Sequence, residues 1–339
     1  MVADVLRITA ILAVVIIHTT TRTLEASHYE LLKIPFTLFL NQIFRFAVPL
    51  FFIISGFLLE LNHHKNENYF VYFKKRVNRI FIPYIFWTCI YYFLVYPLNR
   101  DPNFINSIFR GDASYQLYFI PSLIIFYLLF PFISKYYKIF CNKWLIIFLG
   151  LLEILLLYLD YNVKPFYLYL PLRVAVLNYF FFLSGMVVSR NFDRFTNFIK
   201  RWNKLLLSGS LIFAVTIFFE GLSGYLKTKN YLTFYSSWRP TVFVYSFFIG
   251  SFLYWFYDKI SFGNIIKEIS KLSFFVFFIH VIILEALWKT IGIKLFEISN
   301  GSIAQNIFYD PSYFLLVSVI SFAIAYLVHK IPFVSKITG

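Results

Sequence analysis

The sequence predicts an all-α protein that crosses a membrane about ten times, and three observations carry that prediction. Hydrophobic residues make up 60% of the chain and charged residues only 14%, against about 25% charged in an ordinary soluble domain. The apolar residues come in blocks of roughly 20, the length of a helix that spans hydrocarbon. Short polar stretches bearing Lys and Arg separate the blocks, without the short alternating segments of a transmembrane barrel.

Taken in order, the expected spans are 5–21, 36–61, 80–98, 116–134, 143–160, 168–189, 204–226, 239–257, 271–291 and 312–331. Residues 1–339 read as one membrane-embedded domain with no appended soluble domain and no internal repeat. The first stretch has neither a basic leader nor a small-residue cleavage site, so it reads as a retained span and not a signal peptide. Lys and Arg are roughly twice as frequent in the loops on the side of the termini, which places both termini in the cytoplasm. Lys65, Lys74, Lys75, Arg76 and Arg79 lie on that side; Arg22, Lys33 and Arg100 lie opposite. Abundant Phe, Tyr, Ile, Lys and Asn, with little Ala or Gly, fit AT-rich coding sequence and point to a bacterial plasma membrane.

The net charge of +15 sits between apolar spans, where anionic lipid headgroups account for it and nucleic acid is not implied. Cys89 and Cys141 fall in a span and a loop, a placement that does not suggest a disulfide. His63 and His64 read as loop residues. No Cys/His/Asp cluster has metal-ligand spacing, and neither a glycine-rich phosphate loop nor a G-x-S-x-G elbow occurs, so no metal is expected.

Ionisable residues inside spans are costly and mark function. Arg7 and His18 in the first span lie about 20° apart in azimuth and about 16 Å apart along the helix axis, one stripe on one face. The orientation puts Arg7 at the cytoplasmic surface and His18 in the outer half. Asp4 shares nearly the same face and is placed to hold the Arg7 guanidinium. Either residue alone has an ordinary explanation, a snorkelling arginine or a hydrogen-bonded interfacial histidine. An imidazole, however, titrates near neutrality and suits general-base work.

In the second span Ser55-Gly56 reads as a close-packing surface, and Arg45 is expected at mid-depth or beyond. "KKRVNRIFIPY" puts Arg76 and Arg79 on one face at the start of the third span, a guanidinium fork suited to phosphate oxygens. Pro83 is expected in that helix's first turn. Glu153, Arg173, Glu220, Arg239, His280 and Glu285 complete the set. Glu153 and Glu285 are expected to pair with Arg45 or Arg173, and Arg173 and Arg239 to mark interfaces.

These features resemble those of a known family. Arg7-(ten residues)-His18, "VPLFFIISGFLL", Arg76-x-x-Arg79 followed by "IFIPYIFW", "QLYFIPSLIIFYLL" and "SFFVFFIH" ending at His280 are similar, in that order, to the motifs of the acyltransferase family 3 membrane proteins. Phe277 departs from the tyrosine usual in the last motif, and the chain starts only six residues before Arg7, so any family N-terminal extension is expected to be short or missing. The resemblance implies a membrane-bound O-acyltransferase that takes an acyl group, usually acetyl, from a cytoplasmic thioester such as acetyl-CoA. It delivers the group to a hydroxyl of an external sugar or polysaccharide, as in O-acetylation of exopolysaccharide. By the resemblance His18 is catalytic and Arg7, Arg76 and Arg79 bind the acyl-CoA donor; Asp4, Arg45, His280 and Glu285 are supporting candidates. Polysaccharide synthase or export proteins are the implied partners, beside membrane lipid and the carbohydrate acceptor. His18 would either deprotonate the acceptor or carry the acyl group itself. A polysaccharide or metabolite exporter without acyl transfer is the competing reading.

Overall fold

The computed structural model describes residues 2–63, 68–96, 103–140, 142–260, 263–294, 296, 303–332, 334 and 337, with backbone alone at 75, 77, 232 and 303–306. His64, Lys65, Arg100 and Cys141 lie outside the described residues. Every described element is helical. Eight helices are each long and apolar enough to cross a membrane, and a bent pair makes up to nine. The shorter apolar helix Phe119–Lys135 stands where the sequence puts another span.

In chain order these are α1 (Val2–Ala26), α2 (Pro35–Leu61), α3 (Tyr69–Val95) and α4 (Phe119–Lys135). Next come α5 (Lys143–Val163), α6 (Leu170–Val176 with Tyr179–Arg190, bent by 51°) and α7 (Phe192–Thr228). The last three are α8 (Pro240–Asp258), α9 (Asn264–Gly292) and α10 (Ile303–His329). Each overlaps one expected span. Two bounds differ for clear reasons. α3 starts well before residue 80 because Asn68 caps it, its side chain accepting from the Phe70 N–H at 2.8 Å. Pro83 is therefore inside the helix and not in its first turn, and the Arg79 carbonyl has no N–H to meet there. In α7 a basic leading segment is merged with the span across a break at Trp202 (φ −107°, ψ 16°).

The chain packs as two compact units, Met1–Phe51 with Thr196–Leu327 and Phe52–Phe195 with Val328–Gly339. In the first, α1 runs parallel to α9. Arg7 meets Ser270, His18 meets His280 and Arg22 meets Glu285, so both residue numbers rise together. Parallel running of the first and ninth spans is what strict alternation across a bilayer requires. α10 returns antiparallel, with the Tyr313 hydroxyl donating to the Leu284 carbonyl (2.9 Å) and that of Tyr309 to the Gly292 carbonyl (3.1 Å). The turn after α1 carries His28 and Tyr29 at positive φ. Leu24, Leu31, Ile34, Leu38 and Phe234 bury together beneath it, which folds α2 back so that Asn41 lies beside Ile17.

In the second unit α2 and α6 cross at two glycines. A Cβ on Gly56 would fall on the Phe182 carbonyl oxygen, and one on Gly185 on that of Ile53. The backbone contact expected at Ser55-Gly56 is therefore present, and its partner is Gly185. Within a bilayer such approach, and not water exclusion, supplies helix–helix attraction. Gly185→Val should lower the thermal midpoint of the detergent-solubilised protein, since overpacking costs about 1–3 kcal/mol or more. Gly263→Ala, whose Cβ would meet nothing within 4 Å, should leave the midpoint unchanged. Equal midpoints for the two variants would refute the close crossing.

Candidate active site

The polar interior of the first unit is built along α1. At its N-terminal end the Arg7 guanidinium donates to the Ser270 hydroxyl (2.9 Å) and faces the Asp4 carboxylate (3.6 Å), to which Ser270 also donates (3.2 Å). Asp4 thus holds Arg7 as its helical spacing suggests, with α9 as third partner. Three turns further on, Ile16, Ile17, Thr19 and Thr20 are buried whereas His18 is only half-buried. His18 thus keeps some exposed surface between buried neighbours.

The His18 ring stacks on that of His280 of α9, with centroids 5.4 Å apart and planes 28° apart. His280 is 0% exposed. Its Nδ1 lies 3.0 Å from the Val276 carbonyl oxygen, and because a carbonyl only accepts, Nδ1 carries the hydrogen. Its Nε2 is left as a buried lone pair with no hydrogen-bond partner among the described residues. Besides His280, the cations Arg45 and Arg22 act on His18 electrostatically.

Those cations are held by different means. Arg22 pairs with Glu285 of α9 and with Glu25 (2.8 Å). Arg45, 6% exposed, donates to the Asn41 side-chain oxygen and to the Tyr235 carbonyl (2.6 Å). Asn41 in turn donates to the Ile17 carbonyl and to the hydroxyls of Thr20 and Thr21 at 3.0–3.1 Å, tying α2 to the His18 turn. Gln42 accepts from Arg239 and donates to the Phe234 carbonyl (2.9 Å). Asp310 of α10 accepts from Thr23 (2.8 Å) and Thr37 (2.5 Å).

Four sequence expectations are corrected here. Glu285 pairs with Arg22, and not with Arg45 or Arg173. Arg173 is taken by Asp160 in a bidentate contact (2.9 and 2.6 Å). Glu153 accepts the Phe180 backbone N–H (2.7 Å). Arg239 is no interface marker: it is fully buried and paired with Glu220 (3.1 Å). In each case the partner is set by which helices are neighbours, which helical periodicity does not encode. The sequence reading also passed over Asn41, Gln42, Asp310 and the threonines from Thr19 to Thr23. Buried carboxamides and hydroxyls inside a span are costly too and are the signal for the first two and the threonines, whereas Asp310 lies just ahead of the expected span 312–331.

Arg76 and Arg79 belong to the second unit. Arg76 donates to the Asn62 carbonyl (3.4 Å) and Arg79 is exposed, so both stand on the leading part of α3. His63 sits edge-on to Phe130 (5.2 Å), in the loop role expected of it. Among the described residues no three His, Cys, Asp or Glu side chains gather as metal ligands.

Fold and site together define a multi-pass helical membrane protein whose first span carries a half-buried histidine into a buried polar core. The chain belongs to acyltransferase family 3: that family's profile, described as an acyltransferase domain, matches residues 3–330. It is similar to a protein named as a probable poly-beta-1,6-N-acetyl-D-glucosamine export protein in Staphylococcus aureus (strain MSSA476), at 28% identity over 294 residues, 81% of this chain and 79% of the relative. A protein of the same name from Staphylococcus epidermidis is 25% identical over 292 residues, 81% of this chain and 78% of the relative. No solved structure matches.

Proposed function

We propose that the protein is an O-acyltransferase of the bacterial plasma membrane. It takes an acyl group, acetyl in the simplest case, from a cytoplasmic coenzyme A thioester to a hydroxyl of an extracytoplasmic polysaccharide. The observation that carries this reading is the half-buried His18 in a span whose N-terminal end holds Arg7. The acceptor's O–H proton passes to His18 as its oxygen bonds to the acyl carbon. The C–S bond breaks, and the departing thiolate takes the proton. Arg7 supplies a cation for the coenzyme's phosphates, a role that the family resemblance also gives to Arg76 and Arg79, and the pantetheine arm has roughly the length that separates Arg7 from His18, about 16 Å along α1. The names of the staphylococcal relatives suggest an acceptor made of N-acetylated amino sugars.

Those same names favour a second reading, export of the polymer without acyl transfer. Proteoliposomes given labelled acetyl-CoA and a β-1,6-linked N-acetylglucosamine oligomer separate the two. Acyl transfer requires label on the oligomer in step with release of free coenzyme; oligomer flux with no loss of thioester would establish export instead. In the same assay Arg76→Ala and Arg79→Ala should each raise the KM for acetyl-CoA about tenfold, one phosphate contact being worth about 1.5–3 kcal/mol, with kcat little changed. An unaltered KM would remove both residues from the donor site.

A further inference from the structure

His280 is a fully buried imidazole that the chemistry above leaves unused. Its Nδ1–H is fixed on the Val276 carbonyl (3.0 Å), which fixes the tautomer and leaves the Nε2 lone pair buried without a partner among the described residues. Buried acceptors are nearly always satisfied, and one that is not calls for a reason. The reason lies beside it, since the His18 ring stacks on His280 at 5.4 Å.

We infer that His280 is a positioning residue whose Nε2 accepts the hydrogen bond of the imidazolium formed at His18 during acyl transfer. The step rests on the acyltransferase reading. While His18 holds the acceptor's proton on one ring nitrogen, the N–H of the other needs an acceptor in a site where water is scarce. A turn of the His18 ring about its Cβ–Cγ bond, a torsion with broad minima, aims that N–H at the His280 lone pair. His280 gains and loses no proton of its own; it stabilises the charged form of its neighbour and fixes which nitrogen of His18 meets the substrate. Arg22 and Arg45, which act on His18, are cations and offer it no lone pair.

Two variants test this against mere packing. His280→Phe keeps an aromatic ring of similar volume but no lone pair, whereas the side-chain oxygen of His280→Gln reaches about where Nε2 stands. In proteoliposomes with labelled acetyl-CoA and the amino-sugar oligomer, His280→Phe should lose about 10²-fold in kcat with an unchanged KM for acetyl-CoA. His280→Gln should recover a large part of that loss. A His280→Phe enzyme with the kcat of the wild type would overturn the inference, as would a glutamine variant no better than phenylalanine. A second measurement does not depend on turnover: carbethoxylation of His18 by diethyl pyrocarbonate, followed by mass spectrometry across pH. Its midpoint should fall by about one pH unit from wild type to His280→Phe, as for the loss of a hydrogen bond to the charged form, and an unmoved midpoint would sink the pairing. A wild-type protein that consumes no acetyl-CoA would instead end the acyltransferase reading, with the midpoint still reporting on the histidine pair.

Discussion

His18→Ala should reduce thioester turnover by about 10²–10⁴-fold, the usual contribution of a positioned general base, in a protein that still inserts and purifies normally. The structure explains why folding should survive. His18 is half-buried, while the contacts that fix α1 lie before and after it, at Arg7 with Ser270 and at Arg22 with Glu285. The KM for acetyl-CoA should stay near that of the wild type, because the cations assigned to the coenzyme are elsewhere. Rates are best read as single turnovers of labelled acetyl-CoA in proteoliposomes. A His18→Ala protein as fast as the wild type would end the proposed mechanism.

Glu220→Ala should have the largest effect on stability. Arg239 is fully buried, and the carboxylate of Glu220 is its counter-ion at 3.1 Å, itself held by the Thr241 hydroxyl. Taking away one member of a buried ion pair strands the other charge, at a cost of about 3–5 kcal/mol. The apparent thermal midpoint in detergent should fall accordingly. The double variant Glu220→Ala with Arg239→Met should recover most of the loss, because the buried charge is gone along with its partner. Recovery is the decisive result: if the double variant is as unstable as Glu220→Ala, the stranded cation is not the cause.

The spans were legible in the sequence because hydrocarbon thickness imposes one length on every crossing, so even α4 and the bent α6 show as apolar blocks. The common face of Arg7 and His18 was legible for a similar reason, since the period of a helix is fixed. Both residues do turn to the same neighbour, α9, meeting Ser270 and His280. What periodicity does not reveal is which other helix stands opposite a given face. The pairings of Glu285, Arg173 and Glu153 were therefore misjudged, although each residue was rightly singled out as a group in need of a partner. Asn41 and Asp310 carry no such mark, because they act through hydrogen bonds to threonines of other helices, 21 and 287 residues away along the chain for Thr20 and Thr23.

The parallel pairing of α1 with α9 also bears on how the protein is made. Both bonded pairs that flank the histidines join residues 263 positions apart. The ribosome must therefore pass Glu285 before the first span, inserted at the outset, can meet the helix that completes its site. Until then His18, Arg22 and the threonines after it have no α9 to pack against, and their polar groups must be sheltered by lipid headgroups, by the insertion machinery or by α2. Closure of so long a loop is slow compared with local helix formation. A product cut short before α9 would therefore be a membrane protein without the His18–His280 pair.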